Sequence, residues 1–380
     1  MNADSEIARL RALTGAKWAR FNGDVIPAWV ADMDLPTAPP IIEALRTLVD
    51  ASDFGYNAAS FDDSVVHAWA DWSERRFAWR PDPGRSRKFS NALQPIAASL
   101  NVATQPGDGV VLFTPIYPPF FDLIEKAGRR IVECPLAEDG WRIDIDILES
   151  LVDDTTRAVL VCNPHNPSGR VLDAQEFAAL ASIAEERDLL VISDEIWQDL
   201  TYPGARHTPF ATLGDEAAAR TVTITSASKS FSLGGLGCAV AHFGSPHVLE
   251  ALDALPPHLL GGVSATAALA AIAAWREGEP WLEETLTLLQ ANRDHLAERL
   301  AAELPQVGFT TPEATYLAWL DFRPLGLPKD PAKFLLEEAR VALSPGPDFG
   351  APGAGFARLN FGTTPEILDE IVDRMVRVLG

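Results

Sequence analysis

Residues 158–195 read AVLVCNPHNPSGRVLDAQEFAALASIAEERDLLVISDE. The segment opens with a β-branched run and closes with a second one that starts at Leu189. Between them, residues 173–188 begin with an aspartate, a frequent helix cap, and place apolar side chains on one face of a helix. A strand, a helix and a second strand of these lengths predict a βαβ crossover with parallel strands.

Similar runs flank this unit, namely VVLFT from Val110 and TVTITSA from Thr221, and helix-period segments separate them. This alternation predicts an α/β fold whose large lobe holds a mixed, mostly parallel sheet flanked by helices. Further on, residues 281–300 have helical periodicity and the strand-like TYLAWLDF starts at Thr315. These elements predict a smaller α+β lobe, formed by the C-terminal segment together with the N-terminal arm.

Three regions are therefore expected along the chain. Residues 1–45, rich in proline, form an arm that packs with the small domain. Residues 46–284 form the large domain, and residues 285–380 form the C-terminal small domain. We find no internal repeat and no low-complexity linker.

The composition narrows the function classes. The chain has 380 residues, of which 47% are hydrophobic, so a sizeable core can be buried. Its 31 basic and 53 acidic residues give a net charge of −22. Such an acidic chain argues against nucleic acid and anionic membrane surfaces as partners.

Cysteine usage and the termini indicate the compartment. Cys134, Cys162 and Cys238 have neither the spacing of a disulfide framework nor that of a metal site. The N-terminus lacks a basic stretch followed by an apolar run, and no apolar run is long enough to span a bilayer. We therefore expect a cytoplasmic protein without a bound metal.

The strongest chemical signal is TITSASKSFSLGGLG at residues 223–237, where a strand runs into a turn that carries Lys229. A lysine at a strand end can be partly desolvated, which lowers its pKa and makes it a nucleophile toward an aldehyde. Ser226 and Ser228 can donate hydroxyls to a phosphate. Taken alone, Lys229 is equally compatible with a surface lysine in a loop.

Two further polar residues follow neighbouring strands. Asp194 ends LLVISD and can hold a pyridine nitrogen protonated, and Asn166 in NPHNPSGR can donate to a ring phenolate. Separately, Asp194 could be a strand-end cap or a surface carboxylate. Ligands gather at the carboxyl ends of parallel strands, where all three residues lie. Together with Lys229 they predict pyridoxal 5′-phosphate held as a Schiff base.

The chain resembles the fold type I pyridoxal-phosphate enzymes of the class I/II aminotransferase superfamily over nearly its whole length. It is most similar to their cystathionine β-lyase-like carbon–sulfur lyase subgroup, and the string WVADMD at residues 29–34 is the most specific sign of that subgroup. Other matching strings, in the family's order, are DFGYN, GDGVVLFTPIYPPFF, NPHNPSGRV, SDEIWQDL, SASKSFSLGGLGCA, ATYLAWLDF, LSPGPDFG and FARLNFGT.

The resemblance implies a role for each matching residue. Lys229 would be the Schiff-base lysine, Asp194 the partner of the ring nitrogen and Asn166 the partner of the ring oxygen. Tyr117 would stack on the ring, and Tyr56 would reach the phosphate of the neighbouring subunit. A homodimer with shared active sites is therefore expected.

Arg358 in FARLNFG would grip the substrate carboxylate with its planar fork. The chain departs from the family pattern at three positions. Gly237 replaces the basic residue expected eight positions after the Schiff-base lysine, Trp197 replaces tyrosine or histidine, and Ala92 replaces a glycine in the phosphate turn.

All three departures lie on the phosphate or phenolate side of the cofactor. Losing one charge-assisted contact costs about 1.5–3 kcal/mol, so cofactor affinity is the property most affected. Backbone donors at the helix start from Asn91 to Gln94, which includes Leu93, can supply part of the phosphate site. Trp197 is expected to contact the cofactor, although an indole donates one hydrogen bond and cannot titrate.

The subgroup resemblance implies β-elimination from cystathionine or a cysteine S-conjugate, which releases a thiol, pyruvate and ammonia. The substrate is thus a small amino acid, whose identity the sequence does not specify. The first alternative is an aminotransferase, which shares the early steps. A racemase or a biosynthetic tailoring enzyme on the same scaffold is a further alternative. The remaining alternative is a non-catalytic scaffold of the same fold, for which Gly237 and Trp197 are the only support.

Overall fold

The computed structural model describes residues 3–56, 59–256 and 259–380. The chain begins with two helices and a short strand, α1 (Ala3–Arg11), α2 (Ala16–Ala19) and β1 (Ile26–Pro27). The proline-rich N-terminal segment is therefore extended only in part. Its buried side chains Lys17 and Trp18 anchor α2, because both bond the carboxylate of Asp34 at 2.7 Å.

The middle of the chain alternates between helices and strands, as the sequence predicts. In chain order the elements are α3 (Pro39–Asp50), α4 (Ala59–Phe77), β2 (Ser86–Phe89), α5 (Leu93–Ala103), β3 (Gly109–Thr114), α6 (Pro119–Lys126), β4 (Arg130–Pro135), α7 (Ile145–Leu151), β5 (Thr156–Cys162), α8 (Ala174–Glu186), β6 (Leu190–Asp194), α9 (Asp215–Ala219), β7 (Thr221–Thr225), α10 (Ala227–Ser230), β8 (Ala239–Phe243), α11 (Pro246–Asp253), α12 (Ala265–Glu277) and α13 (Glu279–Glu303).

Seven of these strands form one sheet in the order β2-β8-β7-β6-β5-β3-β4. The five strands from β7 to β4 are parallel, and β8 is antiparallel to both of its neighbours. Alternate residues of β3 enter two different hydrophobic clusters, Val110 and Leu112 on one face and Val111 and Phe113 on the other. The sheet is therefore buried on both faces by helices, and the predicted α/β fold class is confirmed.

The βαβ unit at residues 158–195 forms as predicted, with β5, α8 and β6 in succession. Asp173 caps α8, since its side chain accepts from the backbone of Gln175 and Glu176. The Glu176 carboxylate in turn accepts from the backbone N–H of Asp173, which completes a capping box. This cap starts the helix directly after the loop that carries Asn166.

The C-terminal segment adds β9 (Gly308–Phe309), β10 (Leu317–Asp321), α14 (Pro331–Phe334), β11 (Val341–Ala342), β12 (Ser344–Pro345), β13 (Phe356–Asn360) and α15 (Pro365–Leu379). Four of its strands form an antiparallel sheet in the order β12-β13-β10-β9, and β1 pairs in parallel with β11. This pairing joins the N-terminal segment to the small α+β lobe. The proposed domain boundaries stay a prediction, and α13 runs across the one at 284/285.

Nowhere in the described ranges does a helix combine the length and the apolarity that a membrane crossing needs. The parallel strands matter most for the site. Because β5, β6 and β7 are adjacent and parallel, the residues that come directly after them meet at one edge of the sheet.

Candidate active site

A cavity of about 660 Å³ opens at the carboxyl ends of the parallel strands, between the large sheet and the small lobe. The cavity is lined by site residues predicted from the sequence and by parts of the N-terminal segment. The predicted residues that line it are Leu93, Tyr117, Asn166, Asp194, Trp197, Ser226, Ser228, Lys229 and Arg358. Side chains far apart in sequence therefore converge on one cavity.

Lys229 lies in α10, the short helix that directly follows β7. Its Nζ donates to the carbonyl oxygen of Ala31 at 2.9 Å and lies 5.6 Å from the ring centre of Trp197. Desolvation lowers the pKa of the Lys229 ammonium, against the opposing effect of Asp32. A lysine in these surroundings loses its proton more readily than an exposed one, as a nucleophile or base requires.

Asp194 ends β6, the strand between β5 and β7, and is buried. One carboxylate oxygen accepts from the backbone N–H of Ile196 at 3.2 Å. Desolvation raises the pKa of the Asp194 carboxyl to about 7, and the charge of Lys229 only partly offsets it. Because few groups offset the desolvation of this carboxylate, its charged form needs a cationic partner in the cavity. A protonated pyridine nitrogen is such a partner.

Asn166, in the loop after β5, meets Arg358 of the small-lobe sheet at the cavity. Arg358, on β13, donates through Nη1 to Oδ1 of Asn166 at 2.8 Å. Because this oxygen accepts from Arg358, the amide nitrogen of Asn166 is left to donate elsewhere. The contact fixes the orientation of the asparagine and joins the two lobes at the site.

Arg358 is buried, and two further contacts orient its guanidinium. Its Nη2 donates to the carbonyl of Trp29 at 2.9 Å and to the hydroxyl of Ser344 at 3.2 Å, while its Nε finds no acceptor among the described residues. Desolvation lowers the pKa of Arg358 to about 10, so the group stays protonated at neutral pH. A buried cation that faces a cavity with a donor to spare is suited to bind a carboxylate.

Two aromatic side chains shape the part of the cavity around Lys229. Tyr117 packs edge-on against Phe120 at 5.4 Å, and burial raises the pKa of its hydroxyl. Trp197 packs edge-on against Tyr316 at 4.9 Å. These flat side chains give the cavity apolar surfaces against which a planar ring can lie.

One part of the cavity wall is formed by the start of α5, by α10 and by the loops on either side of α10. Ser228 lines this wall, and Ser226 lines it with a hydroxyl that is already engaged. The Ser226 Oγ donates to the carbonyl of Cys238 at 2.5 Å and accepts from the backbone of Ser228 at 3.0 Å. The backbone at the N-terminus of α5 and the Ser228 hydroxyl are therefore the better candidates for a phosphate site.

Gly237 shows why this wall carries no basic residue at that position. Its φ is +77°, and a Cβ added there would lie 2.8 Å from the carbonyl oxygen of Ser90. A side chain on residue 237 would thus collide with the turn that leads into α5. The absence of a cation at this position is built into the backbone.

Two predicted residues lie away from the cavity wall. The side chain of Gln94 is engaged elsewhere. Its Oε1 accepts from the backbone N–H and the Oγ of Ser90 at 3.0 and 2.9 Å, and its Nε2 donates to the carbonyl of Leu260. Tyr56 is fully exposed to solvent. Its predicted contact with a neighbouring subunit stays a prediction.

Several groups at the site could not be identified by motif alone. The carbonyl of Ala31 accepts from both Lys229 and the hydroxyl of Tyr316, each at 2.9 Å. The carbonyl of Trp29 and the hydroxyl of Ser344 orient Arg358. The side chain of a residue does not indicate what its backbone carbonyl will bind. The string WVADMD nevertheless contains both of these carbonyls, those of Trp29 and Ala31.

Among the described residues, no cluster of three or more histidine, cysteine or acidic side chains is arranged to hold a metal ion. The cavity fits pyridoxal 5′-phosphate better. Its amine, its buried carboxylate and its buried guanidinium match the aldehyde, the ring nitrogen and the carboxylate of an attached amino acid.

The comparisons with known proteins agree with this geometry. Residues 37–375 match the family model for aminotransferase class I and II. Cystathionine beta-lyase PatB of Bacillus subtilis is 35% identical over 392 residues, which cover 100% of each chain.

Two solved structures are similar over 97% of this chain. OvoB has a TM-score of 0.92 and 37% identity over 97% of its own chain. Cystalysin of Treponema denticola, which contains a pyridoxal 5′-phosphate cofactor, has a TM-score of 0.91 and 29% identity over 96% of its chain. The chain therefore belongs to the class I and II aminotransferase family.

Proposed function

We propose that this protein is a pyridoxal 5′-phosphate-dependent carbon–sulfur β-lyase that acts on cystathionine or a related cysteine S-conjugate. The observation that carries the proposal is the convergence of Lys229, the buried Asp194 and the buried guanidinium of Arg358 on one cavity. Relatives named cystathionine beta-lyase support the choice among family reactions.

The cofactor, when bound, supplies an aldehyde that condenses with amines and a protonated ring that withdraws electrons from the substrate Cα. Asp194 is the residue for the ring nitrogen, because its buried carboxylate gains most from a cationic neighbour. Asn166 is the donor for the ring oxygen, since its own oxygen is held by Arg358.

Arg358 binds the substrate α-carboxylate. Its Nε and the neighbouring Nη atoms present a planar fork, and Trp29 and Ser344 hold that fork in place. When the carboxylate is fixed, the bond from Cα to hydrogen points toward Lys229. Binding then provides the reactive geometry, which lowers the entropic cost of the proton transfer.

Lys229 takes the proton from Cα once its amine is free. Its lowered pKa provides the neutral form that a base needs, and the carbonyl of Ala31 stabilises the charged form that results. The bond between Cβ and sulfur then breaks, and the thiolate leaves with the bonding electrons. Water completes the reaction by releasing pyruvate and ammonia.

The chief rival is transamination, which the name of the family model favours. Both reactions require the same removal of a proton from Cα and differ in the next step. Support for the lyase comes from relatives named cystathionine beta-lyase, which are 34–35% identical and match at least 98% of this chain.

Incubation of the cofactor-loaded protein with L-cystathionine tests the proposal. We expect homocysteine and pyruvate in equal amounts, with no requirement for an added keto acid. Release of a keto acid only when a second keto acid is supplied would establish the aminotransferase instead.

The Lys229→Ala variant is the matched control. We expect it to lose the cofactor absorbance of a lysine adduct and to lower the rate of pyruvate release by at least about 10³-fold, because nucleophile and base are removed together. A variant that keeps both properties would refute the assignment of Lys229.

A further inference from the structure

Arg20 is a cavity residue whose charge plays no part in the proposed β-elimination. It directly follows α2, and its guanidinium carbon lies 4.4 Å from the ring centre of Trp29. Phe21 packs edge-on against the same indole at 6.2 Å. Arg20, Phe21 and Trp29 all line the cavity.

The position of Arg20 is well determined by its neighbours. The buried pair of Lys17 and Asp34, 2.7 Å apart, holds the preceding helix, and the indole nitrogen of Trp29 donates to the carbonyl of Lys17 at 3.3 Å. A planar guanidinium stacked on an indole keeps its edge free for hydrogen bonds. The stack therefore presents donors to the cavity.

The charge of Arg20 is not neutralised within the chain. Across residues 3–56, 59–256 and 259–380, no carboxylate forms an ion pair with it. The other arginine of the cavity wall, Arg358, is engaged with Asn166. A cation fixed on an aromatic ring at a cavity wall, without an internal partner, is suited to an anion from outside the chain.

Trp29 links this cation to the substrate-carboxylate residue. Its ring carries Arg20, and its carbonyl accepts from Arg358 at 2.9 Å. A substrate whose α-carboxylate lies on Arg358 can thus extend along Trp29 and bring its far end to Arg20. Both cations line the same cavity.

Three further charged residues of the cavity bear on where an anion can bind. Asp330, Lys333 and Asp348 also line the cavity. The Asp330 carboxylate accepts from the backbone of Ala332 and Lys333 through one oxygen. Lys333 is a further cation of the lining, but the carboxylates of Asp330 and Asp348 offset its charge, so an anion is better placed on Arg20 beside Trp29.

We propose that Arg20 is a specificity-determining residue that binds a carboxylate at the far end of the leaving thiol. The preferred substrates are then cysteine S-conjugates with a distal anionic group, rather than neutral S-alkyl cysteines. This inference rests on the proposed lyase function and deepens it.

The test uses a ligand pair that cannot undergo carbon–sulfur cleavage, L-2-aminosuberate and its distal monoamide. The two probes have the same length and shape and differ in one charge. Dissociation constants for the cofactor-loaded protein are measured from the change in cofactor absorbance. We expect the acid to bind about 3- to 10-fold more tightly than the amide, a modest ratio because Arg20 is exposed to solvent.

Three variants complete the test. R20Q should bring the ratio of the two dissociation constants close to one, and R20K should retain at least half of the preference because it keeps the charge. R11Q removes a comparable cation that lies over Trp18, 5.9 Å from its ring centre, and should keep the wild-type ratio. An R20Q ratio equal to that of the wild type, or no preference in the wild type, would overturn the inference.

Pyruvate release from S-(3-carboxypropyl)-L-cysteine, measured separately, reports on the reaction itself. A clear binding preference without pyruvate would refute the lyase and leave the anion site supported. Pyruvate release without a binding preference would support the lyase and refute the role of Arg20.

Discussion

At the scale of single residues, Asp194 shows how a functional group is kept at the expense of stability. Its carboxyl is buried at the end of β6, and desolvation raises its pKa to about 7. In an unfolded chain an aspartate has a pKa of about 3.9. The folded, cofactor-free protein therefore binds this proton more tightly than the unfolded chain does. The stability that this provides is fully present below pH 4 and is lost as the pH rises to about 7.

The Asp194→Asn variant should remove this penalty, because an amide does not ionise. For the cofactor-free protein, we expect the variant's free energy of unfolding, relative to wild type, to rise between pH 4 and pH 7 by up to about 4 kcal/mol. Urea unfolding of both proteins at several pH values measures the difference. In the cofactor-loaded protein the same substitution should slow catalysis, since the ring nitrogen loses its anionic partner.

The Asp50→Asn variant, which changes an exposed carboxylate at the end of α3, controls for the substitution itself. A stability difference for Asp194→Asn that stays constant across this pH range would contradict the assignment.

At the scale of secondary-structure elements, the candidate phosphate site at the start of α5 depends on two turns that touch. The loop after α10 contains Gly237 at φ +77°, and it passes so close to Ser90 that a Cβ would come within 2.8 Å of the carbonyl. This approach holds the start of α5 against the cavity. The helix N-terminus can then contribute backbone donors where the family's usual cation is missing.

The Gly237→Ala variant should unfold at lower denaturant concentration and bind the cofactor more weakly. The left-handed conformation alone costs an alanine about 1–2 kcal/mol, and the contact with Ser90 adds to that cost. Denaturant unfolding and cofactor titration measure the two effects. Gly235→Ala is the matched control, because the added Cβ meets nothing within 4 Å there. Equal losses in both variants would argue against the role of the close approach.

At the scale of the whole molecule, exposed apolar side chains indicate an interface. Phe54 is 65% exposed, and Tyr56, two residues later, is fully exposed. We expect a two-fold homodimer of twice the 41.1 kDa chain mass, in which each Tyr56 reaches the phosphate of the other subunit's cofactor.

Mixing two inactive variants tests this sharing of active sites. Tyr56→Ala and Lys229→Ala should each have low activity, while dissociation and reassociation of an equal mixture should restore up to about a quarter of wild-type activity, because each hybrid dimer regains one intact site. Pyruvate release and light scattering check activity and mass together. Hybrid dimers that form without regaining activity would show that Tyr56 serves its own subunit or none.

Much of the fold could be predicted because its signals are local. The β-branched runs around Val110, Ala158, Leu189 and Thr221 are strands of the parallel sheet, and the capping aspartate at 173 starts a helix. Among site residues, Lys229, Asp194 and Asn166 converge as expected, because residues after adjacent parallel strands share one edge. The N-terminal helices α1 and α2 could not be predicted in the same way, because they are short, with nine and four residues.

What the amino-acid sequence determined alone is the alternation of strands and helices in the central part of the chain, together with the three strand-end groups that define the chemistry. Periodicity is enough for the first, and position at a strand end for the second. What only the tertiary structure decided is which distant groups meet. The stack of Arg20 on Trp29, the contact between Arg358 and Asn166, and the collision that excludes a side chain at Gly237 each join segments separated in the chain. Such contacts depend on how the small lobe and the N-terminal segment pack against the sheet, and no local pattern encodes that packing.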